Sequence, residues 1–537
     1  MMQPRKFRFM LTVLFSIAFA SHVLAAAHMY RRVKIDAGVI EGSVSGDVLS
    51  FKGIPYAAPP INNYRWRAPQ PVMPWTGVRD ATAFGHDCMQ EPQAGDTAQP
   101  RTTPAEDCLV INVWRPAATA LHKKLPVLVW MHGGAYLFGG SSPAIYDGSS
   151  FARSDIVFVS FNYRLGRFGF FAHPALIKAN EGSVGNFAYM DQIEALRWVK
   201  RNIAVFGGNP DAVTVMGESA GGISVVALLT TSKAKDLFQR AIVLSGGGRT
   251  FLLGGRKLTG GTPAERSADQ IGANFAERVG IKGDGRRALN ALRALPAKAI
   301  LSELNTSTYV GGPIIDNDIV IGIPQVILQR GEAVRVPIMI GSTTQDLSQD
   351  LSAFLQPLPE NPLSYFGADT AKARALYNPD GKLDQTQVRL AVGADMTIHE
   401  PARFVAKQMI QAGMPVWLYR FGYVAESMRP KQPAASHASE LPFLFDTLDT
   451  RYGDGVTEKD RAAAKNFRNY FINFVKSGQP NGQGLPIWPK FDPFRSDVMM
   501  FTPDNGPIAQ PDPWKDRLDL VEQAADAHAA IDKRDKD

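Results

Sequence analysis

Six continuous apolar runs constrain this chain more than any other feature: LPVLVWMHGG (125–134), DIVFVSFNYR (155–164), AVTVMG (212–217), QRAIVLSGG (239–247), VPIMIGS (336–342) and PVWLYRFGY (415–423). A strand with one wet face alternates apolar and polar residues. Runs that stay apolar belong to strands covered on both faces, which means a mostly parallel sheet. Helical patterns lie between them. In NFAYMDQIEALRWVKRNIAVFGG (186–208), Ile193, Leu196, Val199 and Ile203 share one face, Asn186 is placed to cap the start, and Gly207 to stop it. Strand, helix, strand predicts an α/β fold with helices on both faces of a large sheet and sites at the carboxyl ends of the strands. Residues 30–80 read as short strands and turns, because VKIDAGVIEGSV alternates and six prolines follow between Pro55 and Pro74. The stretches 250–335 and 350–410 are helical in pattern and interrupt the strand series. We read them as helical cap excursions over the strand ends, within a single domain spanning 28–537.

The N-terminus is of another kind. Arg5, Lys6 and Arg8 precede the apolar run Phe9 to Ala20, and Ala25-Ala26-Ala27 offers a small-residue cleavage site. This predicts a signal peptide over 1–27 and a secreted or periplasmic protein; the apolar core is too short for a spanning helix. Losing those three basic residues lowers the formal charge from +7 to +4. No Lys/Arg block with interleaved aromatics remains, which speaks against a nucleic-acid partner. No later stretch is long and apolar enough to span a bilayer, and nothing in the sequence sets an oligomeric state. Cys88 and Cys108, the two cysteines of the chain, flank a polar loop containing Pro and Gly. In an exported protein this suggests a disulfide closing the loop; two buried free thiols are the alternative, and a metal site needs more ligands than the neighbourhood offers.

The chemistry centres on VMGESAGG (215–222), where Ser219 stands between Gly217 and Gly221 just after an apolar run and before the helical pattern ISVVALLTT. G-x-S-x-G between strand and helix is a nucleophile elbow, a turn tight enough to need the glycines and to expose the serine. A serine hydroxyl needs a base, a group orienting that base, and donors for the oxyanion. In hydrolases built on this elbow the acid and then the histidine follow the serine, leaving His399, His437 and His528. His528 sits in a charged tail expected to fray, and His399 in a helical pattern suited to a structural role. His437, in the small polar loop AASHASELPFLF, is the expected base. The loop after VPIMIGS offers Asp346 and Asp350; Asp346 is nearer the strand end and is the expected acid. Asp316 and Asp318 follow no strand run of comparable strength. WMHGGAY (130–136) puts small residues after a buried strand, so the N–H groups of Gly134, Ala135 and Ala220 are the candidate oxyanion donors, with His132 orienting the loop.

With these residues in order, the chain resembles the type-B carboxylesterase/lipase family, which includes cholinesterases and bacterial p-nitrobenzyl esterases. The resemblance runs from about Val33 to about Pro493 through FKGIPYAAPP, RWRAPQP, AEDCLVINVWRP, HGGAY, FNYRLGRFGF, GNFAYMDQIEALRWVKRNIAVFGGNP, GESAGG, HASELPFLF and FINFVKSGQPN. It implies an α/β-hydrolase fold, a Ser/acid/His esterase without cofactor or metal, a disulfide at Cys88 and Cys108, and a buried carboxylate at Glu218. The chain departs from the family in three places. Ala135 replaces the usual third glycine, so a methyl narrows the space beside the substrate carbonyl. Asp346 stands where the family usually carries Glu, so its loop must approach His437 more closely. The loop between the cysteines lacks an aromatic residue; cholinesterases carry there a tryptophan that holds a quaternary ammonium by cation–π attraction.

The expected function is therefore hydrolysis of small-molecule carboxylic esters through an acyl-enzyme. An amidase with the same triad is an alternative. A non-catalytic adhesion relative is the other, and the filled triad positions argue against it.

Overall fold

Alternate residues of each apolar run point to opposite sides of the main sheet, and both sides are dry. Val127, Val129, Val213, Val215, Val243 and Ile340 pack into one buried cluster. Leu128, Trp130, Met216, Ile242, Leu244 and Met339 pack into the other. Each such side chain contributes about 2 kcal/mol of burial free energy. That double burial is why the runs are continuous.

The computed structural model describes residues 31–93, 98–250, 254–262, 265–305, 307–347, 361–504 and 506–534. The expected signal peptide over 1–27 and the alternative acid Asp350 lie outside the described residues. The main sheet has eleven strands: β1 (Ser43–Ser45), β2 (Val48–Pro55), β3 (Val110–Pro116), β4 (Leu125–Met131), β5 (Val157–Phe161), β6 (Gly208–Glu218), β7 (Arg240–Leu244), β8 (Ile338–Thr343), β9 (Val416–Phe421), β10 (Asp497–Thr502) and β11 (Gly506–Pro511). Their spatial order is β11-β10-β9-β8-β7-β6-β4-β5-β3-β2-β1. From β10 through β5 every pairing is parallel. At both edges the pairings are antiparallel. The edges turn antiparallel because short connections such as the one between β10 and β11 leave no room for a crossover helix.

Helix α1 (Phe187–Asn202) has a buried apolar face and continues through a tight turn to Gly207, whose left-handed φ of 81° stops it as expected. Asn186 occupies the cap position without capping. Its side-chain amide instead donates to the Ile314 carbonyl and to Asp316 Oδ2, tying the excursion after β7 back to the helix. That excursion carries helices at Ala268–Arg278, Arg286–Arg293, Ala297–Leu301 and Pro324–Gln329. The one after β8 carries Thr370–Tyr377, Gln385–Ala394 and α3 (Glu400–Gln411). The C-terminal tail is helical, not frayed, over α4 (Lys515–Arg534), because it has partners: His528 Nε2 is 3.1 Å from the Tyr365 carbonyl and its ring stacks on Tyr365. Among the described residues no helix is long and apolar enough to cross a membrane.

Candidate active site

β6 ends at Glu218, helix α2 (Ala220–Leu229) begins at Ala220, and Ser219 makes the whole turn with φ 56° and ψ −122°. A side chain at positive φ is strained, and such strain persists only where packing enforces it. Here it does. A Cβ on Gly217 would meet the Gly221 carbonyl oxygen at 2.3 Å, and one on Gly221 would meet that of Met131 at 2.1 Å. Only glycine lets α2 lie this close to the ends of β6 and β4. The Ser219 N–H donates to Leu244 O at 3.0 Å, anchoring the elbow to β7.

The loop after β4 lies against this elbow. A Cβ on Gly133 would come within 3.1 Å of Ser219 Cβ, and Gly134, Ala135 and Tyr136 follow with φ of 103°, 53° and 60°. These left-handed turns bend the loop carrying Gly134 and Ala135, two of the expected oxyanion donors, while the third, Ala220, opens α2 directly after Ser219. His132 holds the loop. Its ring stacks on Tyr163 at 4.3 Å, its Nδ1 lies 2.8 Å from Gly133 O, and the Tyr163 hydroxyl donates to the His132 carbonyl at 2.6 Å. Burial pushes His132 down to about 4, so it stays neutral.

Asp346 follows β8 and is fully buried. Its Oδ1 accepts from His437 Nδ1 at 2.9 Å and its Oδ2 from the Thr343 N–H at 2.9 Å. The shorter acid reaches its partner because the two loops pair. Gln345 and Ser436 form a parallel β-bridge, the Gln345 N–H donates to Ala435 O at 2.8 Å, and the Ala435 N–H donates to Thr344 Oγ1 at 3.2 Å. On the other side, His437 Nε2 faces Glu218 Oε1 at 3.1 Å without hydrogen-bond alignment, one residue from the elbow serine. Burial opposes charging this ring, but Glu218, Asp346 and Glu440 outweigh it, and His437 is pushed up to about 9. Burial alone would raise Asp346; the imidazoles of His399 and His437 hold it well below the usual carboxylate range instead.

Of the sequence-derived candidates, His437 is bonded to Asp346 and faces Glu218 next to Ser219, while the loop carrying Gly134 and Ala135 lies against the elbow that Ala220 follows. Asp316 serves its own turn, its Oδ1 accepting from the N–H groups of Asp318, Ile319 and Val320. Two further buried groups lie beside the site, of which Glu440 escaped the sequence reading. His399, expected to be structural, lies 3.6 Å from Asp346 Oδ2. Glu440 is buried beside His437 and Glu218, and desolvation raises its carboxyl well above the ordinary range. Its position three residues after His437, in HASELP, was a signal present in the sequence. Cys88 and Cys108 are joined by a disulfide, as the resemblance implied.

A parallel sheet with a serine elbow at the end of a central strand defines a serine hydrolase of the α/β-hydrolase fold. Residues 30–512 match the carboxylesterase family. The para-nitrobenzyl esterase of Bacillus subtilis is 34% identical over 479 residues, covering 84% of this chain and 91% of that protein. Human carboxylesterase 5A is 32% identical, covering 82% of this chain and 80% of its own length. A solved structure of PNB esterase superposes with a TM-score of 0.77 at 30% identity, covering 92% of this chain and 99% of that one. The chain belongs to the carboxylesterase family, and it is a serine carboxylic-ester hydrolase.

Proposed function

We propose that Ser219 is the nucleophile, His437 the base and Asp346 the acid of a double-displacement hydrolysis of small-molecule esters. The observation that carries this is the 2.9 Å bond from His437 Nδ1 to Asp346. It commits the Nδ1 proton to the carboxylate and leaves Nε2 turned toward the elbow, the tautomer that can accept the serine proton. Glu218 repels the lone pair of neutral Nε2, which favours the Ser219 hydroxyl as its partner. As Ser219 Oγ bonds to the ester carbonyl carbon, its proton passes to Nε2 and the carbonyl oxygen becomes an oxyanion facing the N–H groups of Gly134, Ala135 and Ala220. Collapse expels the alcohol, which takes the proton from Nε2. Water then repeats the sequence, its proton going to Nε2 and back to Ser219 Oγ, and the acid leaves.

The Ala135 methyl lies beside the developing oxyanion and favours unbranched acyl groups. The Arg5 to Ala27 segment supports export, with residues 28–537 as the mature single domain. Ser219→Ala and His437→Ala should each lower turnover of a p-nitrophenyl ester by four powers of ten or more, about as much as both together, because the pair acts as a unit. Near-parental turnover in either variant overturns the assignment.

A further inference from the structure

Asp346 is approached from two sides by imidazoles. His437 bonds its Oδ1 at 2.9 Å, and His399 Nε2 stands 3.6 Å from its Oδ2. Resting on the triad reading above, we propose that His399 is a positioning residue of this esterase: a second imidazole, held as a cation behind Asp346, that fixes the carboxylate opposite His437 and offsets part of its charge.

The ring's neighbours dictate its state. Nδ1 lies 2.8 Å from Asp395 Oδ1, and Nε2 lies 3.2 Å from the Thr343 carbonyl oxygen with Asp346 just beyond. All of these are acceptors. Either neutral tautomer would aim a lone pair at an oxygen, whereas the imidazolium donates on both sides. The backbone supports the placement. Residues Asp395–His399 form one turn of π-helix, closed by the Glu400 N–H on Asp395 O, which widens the helix at this point and sets Asp395 and His399 on the same face.

Charge balance agrees. The charged groups here are Asp346, Asp395 and Asp512 against Arg420, Arg517 and His399, all buried except Arg517, which is half-buried. Arg517 pairs with Asp395 and Arg420 with Asp512, while both guanidiniums and the His399 ring lie against the ring of Trp514. Tyr377 donates its hydroxyl to Asp395. With His399 cationic, these three acids meet three cations before His437 takes a proton; with it neutral, Asp346 has no cation on the side away from His437. Burial works against the charged ring, yet Asp346 and Asp395 together hold His399 above the ordinary imidazole value.

The consequence falls on His437, whose acidic neighbours are Asp346, Glu218 and Glu440. A cation behind Asp346 weakens the pull of that carboxylate on a proton at His437. Removing it should make His437 hold its proton to higher pH. In His399→Gln the acid limb of the kcat/KM profile should therefore move up by about one pH unit, which is about tenfold lower kcat/KM at any fixed pH on that limb. A merely structural role would lower the plateau and the melting temperature while leaving the limb in place, and that result overturns the proposal. Should the variant not fold, ¹⁵N-histidine NMR of the unsubstituted enzyme at pH 8 decides the matter, with the His399 ring assigned by its contact to Trp514. Two protonated ring nitrogens are expected, and a neutral ring overturns the idea. Asp346→Asn, run in parallel, separates the two readings. If it stays active the triad itself is wrong; if it is inactive while the His399→Gln limb stays put, only the role of His399 fails.

Discussion

The nucleophile side of the site and the acid–base side are built on different principles. Around Ser219 the work is done by contiguous residues and by the absence of side chains: glycines at 217 and 221 let β4, β6 and α2 meet with no space to spare. Around His437 it is done by hydrogen bonds and charges gathered from loops far apart in the chain, joined through a two-residue bridge between Gln345 and Ser436. Close packing resists substitution all at once, because interiors have no slack. A charge cluster can be adjusted one group at a time. The elbow is the fixed half of the site and the acid–base cluster is the tunable half.

The sharpest way to break this contrast is Gly221→Val. Its side chain would grow into the Met131 carbonyl, so we expect no soluble folded enzyme, read by expression and thermal melting. A folded, active variant would show that the elbow has slack after all. Asp346→Asn comes next. It keeps shape but removes the charge that supports the imidazolium, so kcat should fall roughly 10⁴-fold with the melting curve little changed. Glu218→Gln tests tuning directly. Because Glu218 and Asp346 both hold a proton on His437, the parental acid limb of kcat/KM should lie well above 6.5, toward 9. In this variant the limb should move to lower pH by about one unit. A limb that stays in place would mean the cluster is as rigid as the elbow. The smallest effect is expected from Ala135→Gly. It relieves a left-handed φ of 53° and removes one methyl beside the acyl carbonyl. Turnover of acetyl esters should change within about threefold, while branched acyl groups gain more, since one methyl in a pocket is worth about 1 kcal/mol.

The same division governs what could be read from the sequence. The apolar runs, the elbow and the Gly-Gly-Ala turn are local patterns, and each appears in the structure where its residues stand in the chain. His437 and Asp346 were reached by chain order and by nearness to a strand end, and the structure joins them. His399 lies in a helical stretch, as read, and the positioning role proposed for it has no local signal, because a histidine there looks structural. That proposal rests on a π-turn and on the arrival of Trp514 and Arg517 at the start of the last helix, neither of which leaves a local trace. Asn186 was misread for a similar reason: a buried carbonyl from another excursion outcompeted its own helix end. The antiparallel edges were missed because the apolar runs lie almost entirely in the parallel centre.

The wiring of Asp395 to Arg517 on α4 also bears on how the enzyme is made. A polypeptide leaves the ribosome from its N-terminus, and domains fold as their residues become available. Ser219 and its elbow emerge early, but the base comes far later, and the cations that balance the acid cluster come later still. A nascent chain therefore carries a serine without a partner to deprotonate it. The acid–base half is thus completed by residues at the far end of the chain, and its charge balance is set last.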